Sequence, residues 1–214
     1  MVEFQRKKNI FRAKKLGRHG KLSFDFSYLL NPYDIRGLPW HPWAECQDQL
    51  DIESLAEGFI PQSYSENDNY WGSAARSLFS SVLWKLRASQ QTSELTNQLL
   101  FESLANLAAF VQGTKAAAHI DLNSEKTAGS IRSVATTFLS CLEHLPDTVS
   151  PFSIRNWVEN ESDDSWLFLY CRPIQRSALY PFLTCWFSIA TRSLMQMAPC
   201  LDRRLWFVID ELPL

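Results

Sequence analysis

The sequence predicts an α/β chain: a partial sheet domain whose two parts are separated by an all-helical stretch. Three observations carry this. Leu205-Trp206-Phe207-Val208-Ile209 is wholly apolar, and four of its five residues are β-branched or aromatic. Such a run suits a strand buried on both faces. Residues 166–170 are a second candidate, and the apolar run 175–197 between the two has the length of a crossover helix. Strand, helix and strand would then form a right-handed βαβ unit with parallel strands. From about residue 66 to Pro146 the texture is helix alone, with no strand signal.

Taken in order, the chain begins with a basic arm. Residues 1–21 hold eight Lys/Arg against one Glu, while the whole chain carries a net charge of −2. The weak patterning predicts a frayed helix or a disordered arm. Its charge suits either contact with a phosphate backbone or a solvated tail. Residues 24–30 read as a strand running into the turn Leu30-Asn31-Pro32-Tyr33-Asp34. Trp40 and Trp43, set among Pro39 and Pro42, predict an aromatic-packed loop entering a short helix. Ile52, Leu55, Ala56 and Phe59 form one helical stripe, with Asp51 as the expected N-cap and Pro61 as the stop.

Residues 62–69 are a polar loop. Asp68 then suits the cap of a helix whose face is Trp71, Ala75, Leu78, Val82 and Leu86. Residues 96–101 and 103–111 read as short helices, the second closed by Gly113, and residues 114–122 as a third. Ser124 opens a longer helix carrying Ile131, Val134, Phe138, Leu142 and Leu145, stopped by Pro146. The basic residues of the whole stretch 66–146 (Arg76, Lys85, Arg87, Lys115, Lys126, Arg132) are thinly spread, as on a solvated helix surface or, alternatively, a DNA-facing one. Ser153 caps a short helix through Trp157. The run 175–197 is interrupted by Thr184, Ser188 and Arg192, which favours a buried crossover helix over a membrane span.

Five Cys without CxxC spacing predict reduced thiols in a cytoplasmic protein, and the four His make no metal motif. The chemistry is concentrated at the end. The apolar run 205–209 finishes in Asp210-Glu211, and charges at the end of a buried strand are costly unless they are used. Cys171-Arg172 and Asp210-Glu211 would leave the sheet at its carboxyl edge, where ligands bind in open α/β sheets. The pair therefore reads as Walker-B-like: one carboxylate holds Mg²⁺ through water, the other prepares the attacking water. The alternative is a strand that exits into an acidic turn.

Six stretches in a fixed order carry a resemblance. They are Leu30-Asn31-Pro32-Tyr33-Asp34-Ile35-Arg36 with Trp40, Trp43 and Glu45; Tyr70-Trp71-Gly72-Ser73-Ala74-Ala75-Arg76; Glu125-Lys126-Thr127-Ala128-Gly129-Ser130-Ile131-Arg132-Ser133-Val134; Phe152-Ser153-Ile154-Arg155-Asn156-Trp157-Val158; Ser165-Trp166-Leu167-Phe168-Leu169; and Arg204-Leu205-Trp206-Phe207-Val208-Ile209-Asp210-Glu211-Leu212-Pro213. Together they resemble the type IV secretion coupling proteins of the TraD/TrwB kind, the hexameric DNA-translocating ATPases of bacterial conjugation.

The resemblance implies a partial RecA-like P-loop NTPase sheet domain with an inserted all-α domain. Residues 28–65 would be its first part, 66–146 the insertion and 147–214 the return, with 1–27 outside the likeness. It implies that Asp210 binds the Mg²⁺ of the nucleotide and that Glu211 is the catalytic base, with ATP and Mg²⁺ as cofactors of the intact family. The implied partners are the single-stranded transfer DNA, the relaxase within its relaxosome, the type IV secretion channel and further copies in a homo-hexamer. The full-length family is associated with the inner membrane on its cytoplasmic face. No GxxxxGK[ST] occurs in these residues, so the chain is expected to bind ATP weakly and not to hydrolyse it alone. The expected product is a fragment of a longer coupling protein. The alternatives are a non-catalytic DNA- or relaxosome-binding module and an inactive remnant.

Overall fold

The computed structural model of the chain describes residues 15–16, 22–23, 27–63, 66–163, 165–199 and 204–209. In the basic arm the described residues are extended, not helical: β1 (Lys15–Leu16) pairs antiparallel with β2 (Leu22–Ser23). β3 (Ser27–Leu30) and β4 (Trp166–Leu169) then pair in parallel, with Ser27 opposite Trp166 and Leu30 opposite Leu169. Both strands were expected; their pairing was not. β4 was expected to neighbour residues 205–209 across the long helix. Its partner is instead β3, reached only through the entire helical stretch. Residues 204–209 belong to no strand. The reason is hydrogen bonding, because a strand exists only beside a backbone that answers its donors and acceptors. β3 and β4 answer each other, and among the described residues no third strand lies beside 205–209.

The helices follow local sequence closely. α1 (Gln49–Phe59) buries the predicted stripe Ile52, Leu55, Ala56 and Phe59. Its N-cap is Asp48 rather than Asp51, since the Asp48 carboxylate accepts the Asp51 N–H at 2.9 Å. Either aspartate could cap a helix, but the backbone turns helical at Gln49, which leaves the Asp51 side chain for another partner. α2 (Glu66–Lys85) begins before Asp68, which therefore lies inside its first turn. Ala75, Leu78 and Val82 are fully buried along its core face.

α3 (Thr92–Thr96) runs into a π-turn at Asn97–Phe101, and α4 (Leu104–Phe110) is capped by the Ser103 hydroxyl. Gly113 has φ +77°, a left-handed conformation that glycine adopts without a Cβ clash. Two 3₁₀ turns, Lys115–Ala118 and Leu122–Ser124, replace the single short helix expected at 114–122. α5 (Glu125–Leu139) tightens into a 3₁₀ turn at Ser140–His144 instead of running regularly to Leu145. α6 (Ile154–Glu159) has the predicted Ser153 cap, and α7 (Arg176–Gln196) is the predicted long helix with Pro181 inside it.

These helices share one core. α1 packs against α2 and α7, α2 against α5, and α6 against α7. Its centre is aromatic. Trp40 meets Trp186 edge to face at 5.7 Å, and Trp186 stacks on Phe182 at 5.1 Å. Trp43 is also buried, with its indole N–H donating to the Leu83 carbonyl at 3.0 Å. Both tryptophans thus have the packing role that their proline-flanked loop implied. Among the described residues, no helix is long and apolar enough to cross a membrane.

Candidate functional site

Asp210 and Glu211, the predicted metal ligand and catalytic base, lie outside the described residues. The structure describes the approach to them as far as Ile209. That approach is open: Trp206 is 71% exposed, Val208 61% and Ile209 54%, so the segment is not the buried strand that its composition suggested.

What the fold does assemble is the carboxyl edge of the β3–β4 pair. β3 runs into Asn31, which is buried. The Asn31 side-chain carbonyl accepts the Tyr33 N–H at 2.8 Å, and its backbone carbonyl accepts the Asp34 N–H at 3.1 Å. Leu38 N–H then returns to the Leu29 carbonyl at 2.8 Å, closing the loop on its own strand. A Cβ on Gly37 would run into the Asn31 carbonyl, so only glycine fits this close turn.

β4 leaves at the same edge through Cys171, Arg172 and Gln175. The buried Gln175 side-chain oxygen accepts from the Asn31 amide and from the Arg172 N–H, both at 3.2 Å. One glutamine therefore fastens the two strand exits together. Beside it, Asp34 holds Arg36 in a two-pronged pair at 2.8 and 2.6 Å. The hydrogen bond from Arg36 pulls the Asp34 carboxyl down to about 2, and Arg172 adds a weaker pull in the same direction. The edge thus presents two exposed guanidinium-bearing residues, Arg36 and Arg172, around one carboxylate.

A second polar centre lies inside. The Glu45 carboxylate is 3% exposed. It accepts from the Trp40 indole at 2.8 Å, the Ile154 N–H at 2.7 Å, the Arg155 N–H at 2.9 Å and the Ser153 hydroxyl at 3.2 Å. Two of those donors are first-turn amides of α6, so Glu45 completes that helix's capping from a distant part of the chain. Burial pushes its pKa up, against the four donors that favour the charged form. Alongside, Arg155 forms a two-pronged pair with Asp51 at 2.8 and 2.5 Å. Burial alone would raise the Asp51 carboxyl, but the hydrogen bonds from Arg155 and the Gln47 N–H outweigh it and hold the group low. Sequence reasoning assigned Asp51 a capping role and Glu45 none. The available signal was the pairing of an isolated Glu with a distant serine-capped helix.

The basic residues of the helical stretch mostly have internal partners. Arg76 donates to the Ile60 and Pro61 carbonyls, Arg87 to Trp84 and Arg132 to Leu100. Lys115 pairs with Glu53 at 2.6 Å, and Lys85 lies over the Phe110 ring. Lys126 is exposed in the first turn of α5. Among the described residues no cluster of His, Cys, Asp and Glu is suited to hold a metal ion.

The Glu45 junction and the carboxyl edge both lie within a span that matches a known family. A model of the type IV secretion-system coupling protein DNA-binding domain matches residues 23–214. The chain belongs to this family. It is 33% identical over 193 residues to the coupling protein TraD of Escherichia coli (strain K12), covering 86% of this chain and 27% of that protein. Its structure is similar to the plasmid coupling protein TrwB in complex with the non-hydrolysable GTP analogue GDPNP. The TM-score is 0.77 and the identity 28%, over 86% of this chain and 45% of that one. TrwB in complex with ADP and Mg²⁺ matches with a TM-score of 0.75 and 27% identity, over 84% of this chain and 44% of that one. The chain therefore spans about a quarter of the length of TraD and under half of the TrwB chains it matches.

Proposed function

We propose that the chain forms part of an ATP-driven DNA translocase, a conjugative coupling protein that links the relaxosome to the type IV secretion channel. The observation that carries this is the similarity to nucleotide-bound TrwB over 86% of the chain. In this reading, residues 28–65 and 147–214 are parts of a RecA-like nucleotide-binding domain and residues 66–146 are an inserted all-α domain. The single-stranded transfer DNA and the relaxase are its partners, and the working assembly is a homo-hexameric ring at the inner membrane.

Asp210 would hold the Mg²⁺ of the nucleotide, and Glu211 would accept the proton of the attacking water. Adjacent carboxylates offer the oxygen ligands that Mg²⁺ prefers. Magnesium-bound nucleotide supplies the phosphoryl group to be transferred. The carboxyl edge supports the same reading, because ligands of open α/β sheets bind beyond the carboxyl ends of the strands, and there the chain presents Arg36 and Arg172.

A second reading, a DNA- or relaxosome-binding module without catalysis, is favoured by one observation. No GxxxxGK[ST] is present in the 214 residues to cradle the β- and γ-phosphates. Both readings are tested on the purified chain with a fluorescent single-stranded oligonucleotide and with MgATP. The motor reading expects salt-sensitive DNA binding and no multiple-turnover hydrolysis by the chain alone. DNA binding weakened by Lys126→Glu would assign the contact to the helical stretch. Sustained hydrolysis by the isolated chain would overturn the need for a phosphate-binding loop, and failure to bind DNA even at low salt would remove the nucleic-acid role from these residues.

A further inference from the structure

The thin spread of basic residues over the helical stretch conceals an uneven spread of acidic ones. The chain carries 23 Asp and Glu in 214 residues, yet none falls in residues 69–93 or in residues 103–120. The Lys and Arg of those two runs are Arg76, Lys85, Arg87 and Lys115. The fold brings the runs together. The 3₁₀ turn Lys115–Ala118 packs against α2, and the Ala116 N–H donates to the Ser81 hydroxyl at 3.3 Å. The end of α2 therefore borders a surface to which neither run contributes a carboxylate. The acids beside it are engaged: Glu53 of α1 pairs with Lys115 at 2.6 Å, and Glu94 accepts from the Ser89 hydroxyl at 3.1 Å.

Two cations at this end are set on aromatic rings. Lys85 Nζ lies 5.5 Å from the centre of the Phe110 ring, and Arg87 Cζ lies 4.0 Å from that of Trp84. Both are within the reach of cation–π attraction. Arg87 also donates to the Trp84 carbonyl at 2.7 Å, which engages one of the five donors of a guanidinium. Lys85 and Arg87 are exposed, while both rings are half-buried. The two charges are thus held in place at the surface, and less freedom is lost when an anion binds them. Phosphates seek cations that have no carboxylate in attendance. Unstacked bases seek a flat partner, either an aromatic ring or the plane of an arginine. A duplex keeps its bases stacked inside, whereas a single strand offers phosphate and base together.

We infer that the end of α2 binds single-stranded DNA, with Lys85 on a phosphate and a base stacked on the Arg87–Trp84 pair. This rests on the nucleic-acid role proposed above and gives that role a place in the fold. Cations at the C-terminal end of a helix also offset its dipole, but that needs charge alone and no flat plane.

Fluorescence anisotropy of the full chain tests this, with a labelled oligothymidylate and an abasic strand of equal length over a series of salt concentrations. The wild-type chain should prefer the oligothymidylate roughly tenfold, the size expected of one stacked base. Lys85→Ala should weaken both strands alike and lower the salt slope by about 0.7, as for one phosphate contact on a single strand. Arg87→Lys keeps the charge, so it should keep the salt slope and abolish the preference for the strand with bases. Both side chains are exposed, and urea midpoints should show that neither change unfolds the chain. Binding that both variants leave untouched overturns this site and spares the nucleic-acid role. Equal affinity of the wild-type chain for the two strands overturns the stacked base and with it the inference. Failure to bind either strand at low salt overturns the inference and the nucleic-acid role together.

Discussion

At Glu45 a carboxylate with 3% exposure takes four hydrogen bonds and joins the loop after β3 to the start of α6. At the carboxyl edge, Asp34 takes its bonds from the exposed Arg36, and Gln175 ties the exits of β3 and β4 together beside it. Both clusters join stretches far apart in sequence, and both use residues of the stretches that carry the family resemblance. They differ in access to solvent. In the inner cluster the Glu45 carboxylate is buried and already takes four protein donors, so its bonding is spent on the fold. The outer one keeps guanidinium groups in water at the edge where sheets meet ligands. Membership of such a stretch therefore does not by itself mark a residue as open to a ligand; exposure does.

The largest expected effect comes from breaking the inner cluster. Glu45→Ala would leave the Trp40 indole, the Ser153 hydroxyl and two amides of α6 without their acceptor. Leaving a buried neutral donor unsatisfied costs about 1–3 kcal/mol, and with several affected urea denaturation should show a loss of at least about 3 kcal/mol. Glu45→Gln keeps one acceptor oxygen and should cost less. A loss below about 1 kcal/mol for Glu45→Ala, the size expected of an exposed ion pair, would show that the cluster does not fasten α6.

The sequence exposed the two regions unequally. The stripe Ile52, Leu55, Ala56 and Phe59, the Ser153 cap and the turn at Gly113 are all legible, because each depends on residues within one or two helical turns. The partnership of β3 with β4 is not legible, because strand pairing is settled by backbones brought together across the whole helical stretch. The same limit affected residues 205–209. Their composition suits a strand, yet composition cannot supply the neighbour that a strand requires. Asp48 and Asp51 show a finer case. Either could cap α1, and the pairing of Asp51 with Arg155 becomes visible only once α6 is in place.

Acid titration sharpens the comparison, because the two clusters respond with opposite sign. Asp34 lies at about 2, held there first by its hydrogen bond from Arg36, and Asp147 lies at about 2, held by hydrogen bonds from Thr92 and Ser93 at the start of α3. A depressed carboxyl contributes stability that is present above its unfolded value of 3.8 and lost as pH falls through its folded value. Glu45 is raised by burial above 4.5, so in the folded protein it takes its proton first, and mild acid favours the folded state at this one group. Urea midpoints measured downward from neutral pH should therefore fall mainly below 4, and Asp147→Asn should reduce that fall. Glu45→Gln should remove the opposing contribution above 4.5. If Glu45→Gln instead made the protein more resistant to acid below 4, the assigned direction for Glu45 would be wrong.

The smallest effects on stability belong to the outer cluster, and they decide whether it is a site. Gln175→Ala removes a buried acceptor shared by two donors and should cost about 1–2 kcal/mol. Arg172→Ala alters an exposed side chain and should stay within about 1 kcal/mol. A purely structural edge would show only these changes. If the edge also receives phosphate, weak MgADP binding followed by NMR should move the amides of residues 31–37 and 170–175 more than those of the Glu45 junction. Arg172→Ala should then weaken that binding several-fold while leaving the urea midpoint nearly unchanged. Shifts spread evenly over the molecule, or binding indifferent to Arg172, would return the carboxyl edge to the same structural role as the cluster inside.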